Sequence, residues 1–171
     1  MKNLLKSLVA VFAIVFAVSS CDTDPCKDVV CGEQGNCSEG ICICNDGYEK
    51  DASNLCNTTW ASKFVGSSLN SVDTCTSDTV FYVNYFCNIT EVNEKTLEIE
   101  NLGGFNNPSL GFTHTINIDV LNSYDVSINA TDANNNTFEG TGFKSGNVLY
   151  LNYVVTYTDG VKDTCASTIN Y

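Results

Sequence analysis

The chain has 171 residues, with 20 acidic against 8 basic, no arginine, and a formal net charge of −12. A surface of that sign repels phosphate and lacks the clustered Lys and Arg that displace counterions, which excludes nucleic acid as a partner. Ten cysteines in so short a chain point to oxidised pairs in an exported protein. The single histidine, His114, stands far from the cysteine cluster, and the C-x2-C pairs of zinc modules are absent.

The first predicted element is a signal peptide over residues 1–20. Lys2 and Lys6 precede the apolar run Leu8–Val18, and the small residues Ser19 and Ser20 follow. A cationic start, a short apolar middle and a small-residue end mark a secretory signal. The run is too short to cross a bilayer as a helix. The segment Val18-Ser19-Ser20-Cys21 resembles a bacterial lipobox. That resemblance implies cleavage before Cys21, acylation of its thiol, and a membrane partner reached through the lipid, with residues 21–25 as the tether. Two or three acyl chains, at roughly 0.8 kcal/mol per buried CH₂, hold a protein stably. Loss of Lys2 and Lys6 would leave six lysines against 20 acids, a net charge of about −14. Asp22 and Asp24 follow at once, and acids in this position resemble the export signal of surface-exposed lipoproteins of Bacteroidetes-type bacteria.

Residues 26–56 form the second element. Their cysteines follow C-x4-C-x5-C-x4-C-x-C-x11-C, a spacing that alone permits many pairings. The stretch Cys42–Cys56, with its C-x-C, Gly47-Tyr48 and closing cysteine, resembles the second half of an epidermal-growth-factor-like (EGF-like) module. The resemblance implies the pairs Cys26–Cys37, Cys31–Cys42 and Cys44–Cys56. The apolar residues Val29, Val30, Ile41, Ile43, Tyr48 and Leu55 are too few for a core. Crosslinks must replace it, each loop of about 12 residues contributing roughly 3 kcal/mol. Some modules of this family hold calcium through acids before the first cysteine, where Asp22 and Asp24 stand. Pro25 and Glu39 depart from that pattern, so the expectation is a rigid spacer without a metal.

Residues 57–62 read as a polar linker, and residues 63–171 as a β domain. Thr, Asn, Val, Ile, Tyr and Phe dominate, and period-2 stretches recur. They span Phe64–Asp73, Val80–Thr90, Thr96–Asn101, Phe112–Leu121, Tyr124–Thr131, Thr137–Phe143, Val148–Thr158 and Val161–Tyr171. Turn signals lie between them at Asn93-Glu94, Gly103-Gly104, Asn134–Asn136, Ser145-Gly146-Asn147 and Asp159-Gly160. About eight short strands make a mostly β fold, an antiparallel meander that is either a sandwich or an up-and-down barrel. "DTC" occurs twice, at Asp73–Cys75 and Asp163–Cys165. In a closed barrel the first and last strands are neighbours, which brings Cys75 and Cys165 within bonding range and favours the barrel. The rival pair Cys75–Cys87 would staple the first hairpin. In the first case Cys87, on one face with Phe81, Val83, Tyr85 and Ile89, is left as a buried thiol.

The stretches "FVGSSLNSVDTC", "FEGTGFKSGNVLYLNYVVTYTDG" and "DTCASTINY" look like the lipocalin-like or avidin-like domains of small Bacteroidetes lipoproteins. The lipocalin G-x-W is missing around Trp60, so a ligand does not carry over. No G-x-S-x-G, H-E-x-x-H or phosphate-cradling loop appears. His114 lies in a strand-like stretch, and Asp119, Asp125, Asp132 and Glu139 read mostly as a solvated outer face. The expectation is therefore a protein with no enzymatic activity and no cofactor. It sits lipid-anchored at the cell envelope, with the outer membrane as the expected site and the periplasmic and external faces both open, and displays a barrel that recognises a protein, a glycan or a small apolar ligand. The second reading is a carrier enclosing a small apolar ligand within the barrel.

Overall fold

The structure, a computed structural model, describes residues 24–76, 82–105 and 114–171. Its N-terminal part is a small knot. Strands β1 (Gly35–Ser38) and β2 (Ile41–Cys44) form a hairpin, and β3 (Tyr48–Glu49) pairs with β4 (Thr58–Thr59). Within the polar linker 57–62, β4 bonds back to the knot. The cause is local, since Gly47 adopts φ +88 and its carbonyl accepts the Trp60 amide at 2.8 Å.

The remaining strands are β5 (Gly66–Cys75), β6 (Tyr82–Asn93), β7 (Thr96–Glu100), β8 (Thr115–Val120), β9 (Asp125–Thr131), β10 (Thr137–Ser145), β11 (Val148–Thr156) and β12 (Lys162–Asn170). They close into an antiparallel barrel in the order β10-β11-β12-β5-β6-β7-β8-β9. Closure runs through β5 and β12, where Cys165 is registered with Cys75 and Asn170 with Asn70. The barrel, rather than the sandwich, is the observed solution. Two glycines help β10 curve: a Cβ at Gly140 would stand 2.6 Å from the Tyr153 Cα, and one at Gly142 2.5 Å from the Tyr150 carbonyl oxygen.

Period-2 alternation sets what faces inward. Leu149, Leu151, Tyr153 and Val155 of β11 are buried, as are Asp163, Cys165, Ser167 and Ile169 of β12. With Ile89, Leu97, Ile99, Ile116, Ile118, Val120, Val126 and Ile128 they fill the barrel with side chains.

The two ends of the barrel differ. At the knot end lie the β6–β7, β8–β9 and β10–β11 turns and the 3₁₀ turn Ala61–Phe64. Ala61 and Phe64 are fully buried and plug this end. Tyr171 donates a hydrogen bond to the Phe64 carbonyl at 2.6 Å. The knot docks here: Lys95 pairs with Asp46 at 2.7 Å, while Lys63 and Ser123 both reach Glu49. At the far end lie the 3₁₀ turn Leu102–Gly104, the β9–β10 turn and the β11–β12 turn.

Candidate functional site

The disulfides come first, because they set the frame. Cys26 bonds Cys37, Cys31 bonds Cys42, and Cys44 bonds Cys56, with Cα separations of 5.7, 5.2 and 5.2 Å. Cys75 bonds Cys165 across the barrel closure, so the rival bridge to Cys87 does not form. Cys21 and Asp22 lie outside the described residues, as does Phe81. Asp24 is exposed, and its carboxylate accepts the Cys26 amide at 2.9 Å, capping the turn that opens the knot.

Cys87 is a buried free thiol, its sulfur 3.1 Å from the Ser71 hydroxyl. Burial pushes that thiol above its ordinary range, which keeps it protonated and inert at neutral pH. Cys75, Asp163 and Cys165 bring three potential ligand atoms within 4.8 Å. Both sulfurs are committed to their own bond, and the Asp163 carboxylate accepts Thr76 Oγ1 at 3.0 Å, so this trio is a structural staple.

Within the barrel a polar network replaces part of the apolar core. Asp73 on β5 is 2% exposed and accepts hydrogen bonds from Tyr85, at 2.7 Å, and from Tyr153. Ser167 lies 3.1 Å from the Tyr85 hydroxyl, which also receives the Gly103 backbone amide. Gly103 must be glycine there: its φ is +74, and a Cβ would meet the Phe105 ring at 2.5 Å. Burial raises the Asp73 carboxyl above its usual range, with the serine and tyrosine hydrogen bonds opposing. Both tyrosines are pushed far up, chiefly by burial and then by the Asp73 charge, so they act as hydrogen-bond donors rather than as bases. The network is enclosed and fully engaged, which suits it to fixing the packing of β5, β6, β11 and β12.

The far end carries a pocket. Phe105, Phe138 and Tyr157 supply aromatic walls; Asp132, Asn134 and Asn136 supply a polar rim; Val155 completes the lining. Its volume is about 80 Å³. Asp132 is 7% exposed and organises the β9–β10 turn. One carboxylate oxygen accepts the Asn134 and Asn136 backbone amides, each at 2.8 Å, and the other accepts the Asn136 side-chain amide at 2.9 Å. His114 lies beneath the cup, its Nδ1 3.4 Å from the Asp132 carboxylate. Its ring packs 5.4 Å from Phe105 and 5.1 Å from Phe138, centroid to centroid. Burial pulls the imidazole below its ordinary range, outweighing the Asp132 charge that raises it, so His114 is neutral at neutral pH.

No protein-family model and no curated protein matches the chain. Among solved structures it is similar to a redesigned beta barrel, b11L5F_LGL, at 12% identity and a TM-score of 0.45, over 65% of this chain and 93% of that one.

Of the carboxylates read as a solvated outer face, Asp119, Asp125 and Glu139 are exposed. Asp132 is not, because its side chain turns inward to hold its own loop. Sequence reasoning passed over Asp73 and Asp163 as buried groups. The signal was present in the doubled "DTC": each aspartate stands two residues before a bridged cysteine and so shares its face. The cup has no comparable local signature, since its residues come from separate connections.

Proposed function

We propose that this protein is a cell-envelope lipoprotein. Cys21 carries the lipid that holds it to the outer membrane of a bacterium, the EGF-like knot is a riser, and the barrel is a recognition domain displayed outward. The observation that carries this reading is the asymmetry of the barrel. The knot docks on the plugged end, so the aromatic and polar cup lies at the end away from the knot. The rigid crosslinks of the knot and its contacts at Asp46 and Glu49 would keep that orientation. The side-chain filling of the barrel argues against the second reading, a carrier with an apolar ligand inside.

Intact mass analysis of protein extracted from membranes tests the anchor. The expected result is a mature N-terminus at Cys21 bearing diacylglycerol and an N-acyl chain, with release of the Cys21→Ser variant into the soluble fraction. A mature chain beginning at unmodified Asp22, or Cys21 held in a disulfide, overturns the reading.

A further inference from the structure

The recognition reading leaves open what the far-end cup takes, and its composition narrows the answer. The lining is aromatic at Phe105, Phe138 and Tyr157, of which Phe138 is almost wholly buried, and the charge is that of Asp132. His114, neutral at neutral pH, does not cancel that charge although it stands 3.4 Å away. The surroundings have the same sign. Of the four lysines in the β domain, Lys63, Lys95 and Lys144 lie at the knot end and only Lys162 at the far end, where Glu100, Asp159 and Asp163 also stand.

The hydrogen bonding sharpens the choice of cation. Asp132 spends one oxygen on two backbone amides and the other on the Asn136 side chain. Its charge reaches the cup, but three of its roughly four acceptor positions are taken and His114 Nδ1 stands 3.4 Å from the less occupied oxygen. A primary ammonium needs acceptors for its three N–H bonds. A methylated ammonium has few or none to satisfy and is held by ring faces and through-space charge. Size agrees: the cup has a volume of about 80 Å³. That suits a small headgroup whose remainder projects outward.

We propose that the far-end cup binds a quaternary or fully methylated ammonium headgroup, held by Phe105, Phe138 and Tyr157 beside the Asp132 carboxylate. This rests on the barrel being a recognition domain and does not depend on the lipid anchor.

The test uses the full chain with Cys21→Ser, without detergent, titrated with choline and followed by calorimetry and by NMR of the Asn134 and Asn136 side-chain amides. Saturable binding is expected, at least tenfold tighter than that of 3,3-dimethylbutan-1-ol, its uncharged carbon isostere, and of ethanolamine. Asp132→Asn is expected to weaken choline at least tenfold. Phe105→Leu, which keeps apolar bulk but removes the ring, should do the same and serves if the first variant unfolds. Equal affinity for choline and its isostere overturns the proposal, as does displacement by a neutral sugar. So does the absence of any amide shift at tens of millimolar choline with the barrel folded. None of these outcomes alters the mass of Cys21, so the anchor and the cup fail separately.

Discussion

In the knot, Val30, Ile41 and Ile43 are 74%, 62% and 58% exposed, while Cys31 and Cys56 are buried. In the barrel most aliphatic residues are inside, with Val92, Leu121 and Val161 left exposed near strand ends, and a single disulfide joins two strands that are already registered and hydrogen-bonded. The knot is thus held by restricting its unfolded chain, and the barrel by removing apolar area from water. The two regions of one chain should therefore respond to different insults, and three variants, one of them a double substitution, sharpen that contrast.

The largest effect is expected at the plug. Phe64→Ala empties a fully buried site where the barrel end is closed, at a cost of about 3–5 kcal/mol. Thermal unfolding of the barrel should move accordingly, while amide exchange in β1 and β2 stays unchanged; matched losses in both regions would show that knot and barrel unfold as one. Next comes the paired change Cys44→Ser with Cys56→Ser. It opens a link between residues 12 apart and removes roughly 3 kcal/mol from the knot in the chain-entropy model. Exchange protection over Gly35–Cys44 should fall, with the barrel melting where it did before. A lower barrel melting temperature would mean that the docked knot supports the barrel.

The smallest effect is a pH dependence. Burial raises the Asp73 carboxyl above its unfolded value, so the folded state holds this proton more tightly. Its contribution is fully present below the ordinary carboxylate range and is lost as pH rises through the raised folded value. Asp73→Asn removes that loss. Relative to the parent, the variant should gain stability at neutral pH and nothing in acid well below the carboxylate range. Denaturant unfolding under the two conditions reads the difference, and a gain that is the same in both would assign it to packing instead. Protonation of buried His114 acts in the opposite sense, weakening the fold as pH falls below 6.5, and it cancels in the comparison of variant with parent.

Much of this architecture was legible because strands write their burial with period 2. The stretch Val148–Thr158 alternates so regularly that β11 could be placed almost to its ends, Val148–Thr156. The two "DTC" triplets pointed to barrel closure, since a bridge between Cys75 and Cys165 needs β5 beside β12. Harder to read was the polar interior. Ser71, Asp73 and Ser167 occupy inward positions where hydropathy alone expects apolar residues, and Tyr85 and Tyr153 make the aspartate tolerable there. That compensation joins β5 to β6 and β11, so no window of sequence contains it. The cup is non-local for the same reason: Phe105, the Asp132–Asn136 turn and Tyr157 come from three connections that meet only when β7 to β11 are paired.

The bond between Cys75 and Cys165 spans 90 residues of sequence yet joins adjacent strands. The first strand of the barrel thus waits for the last, and until β12 arrives both edges stay open for pairing with other chains. Non-local closure of this kind is slow, and the bridge that secures it forms only where thiols are oxidised. Once the bridge is made, it also confers tolerance to cutting. A protease that nicks any one connection between β5 and β12 produces two fragments that remain covalently joined through the same pair of strands.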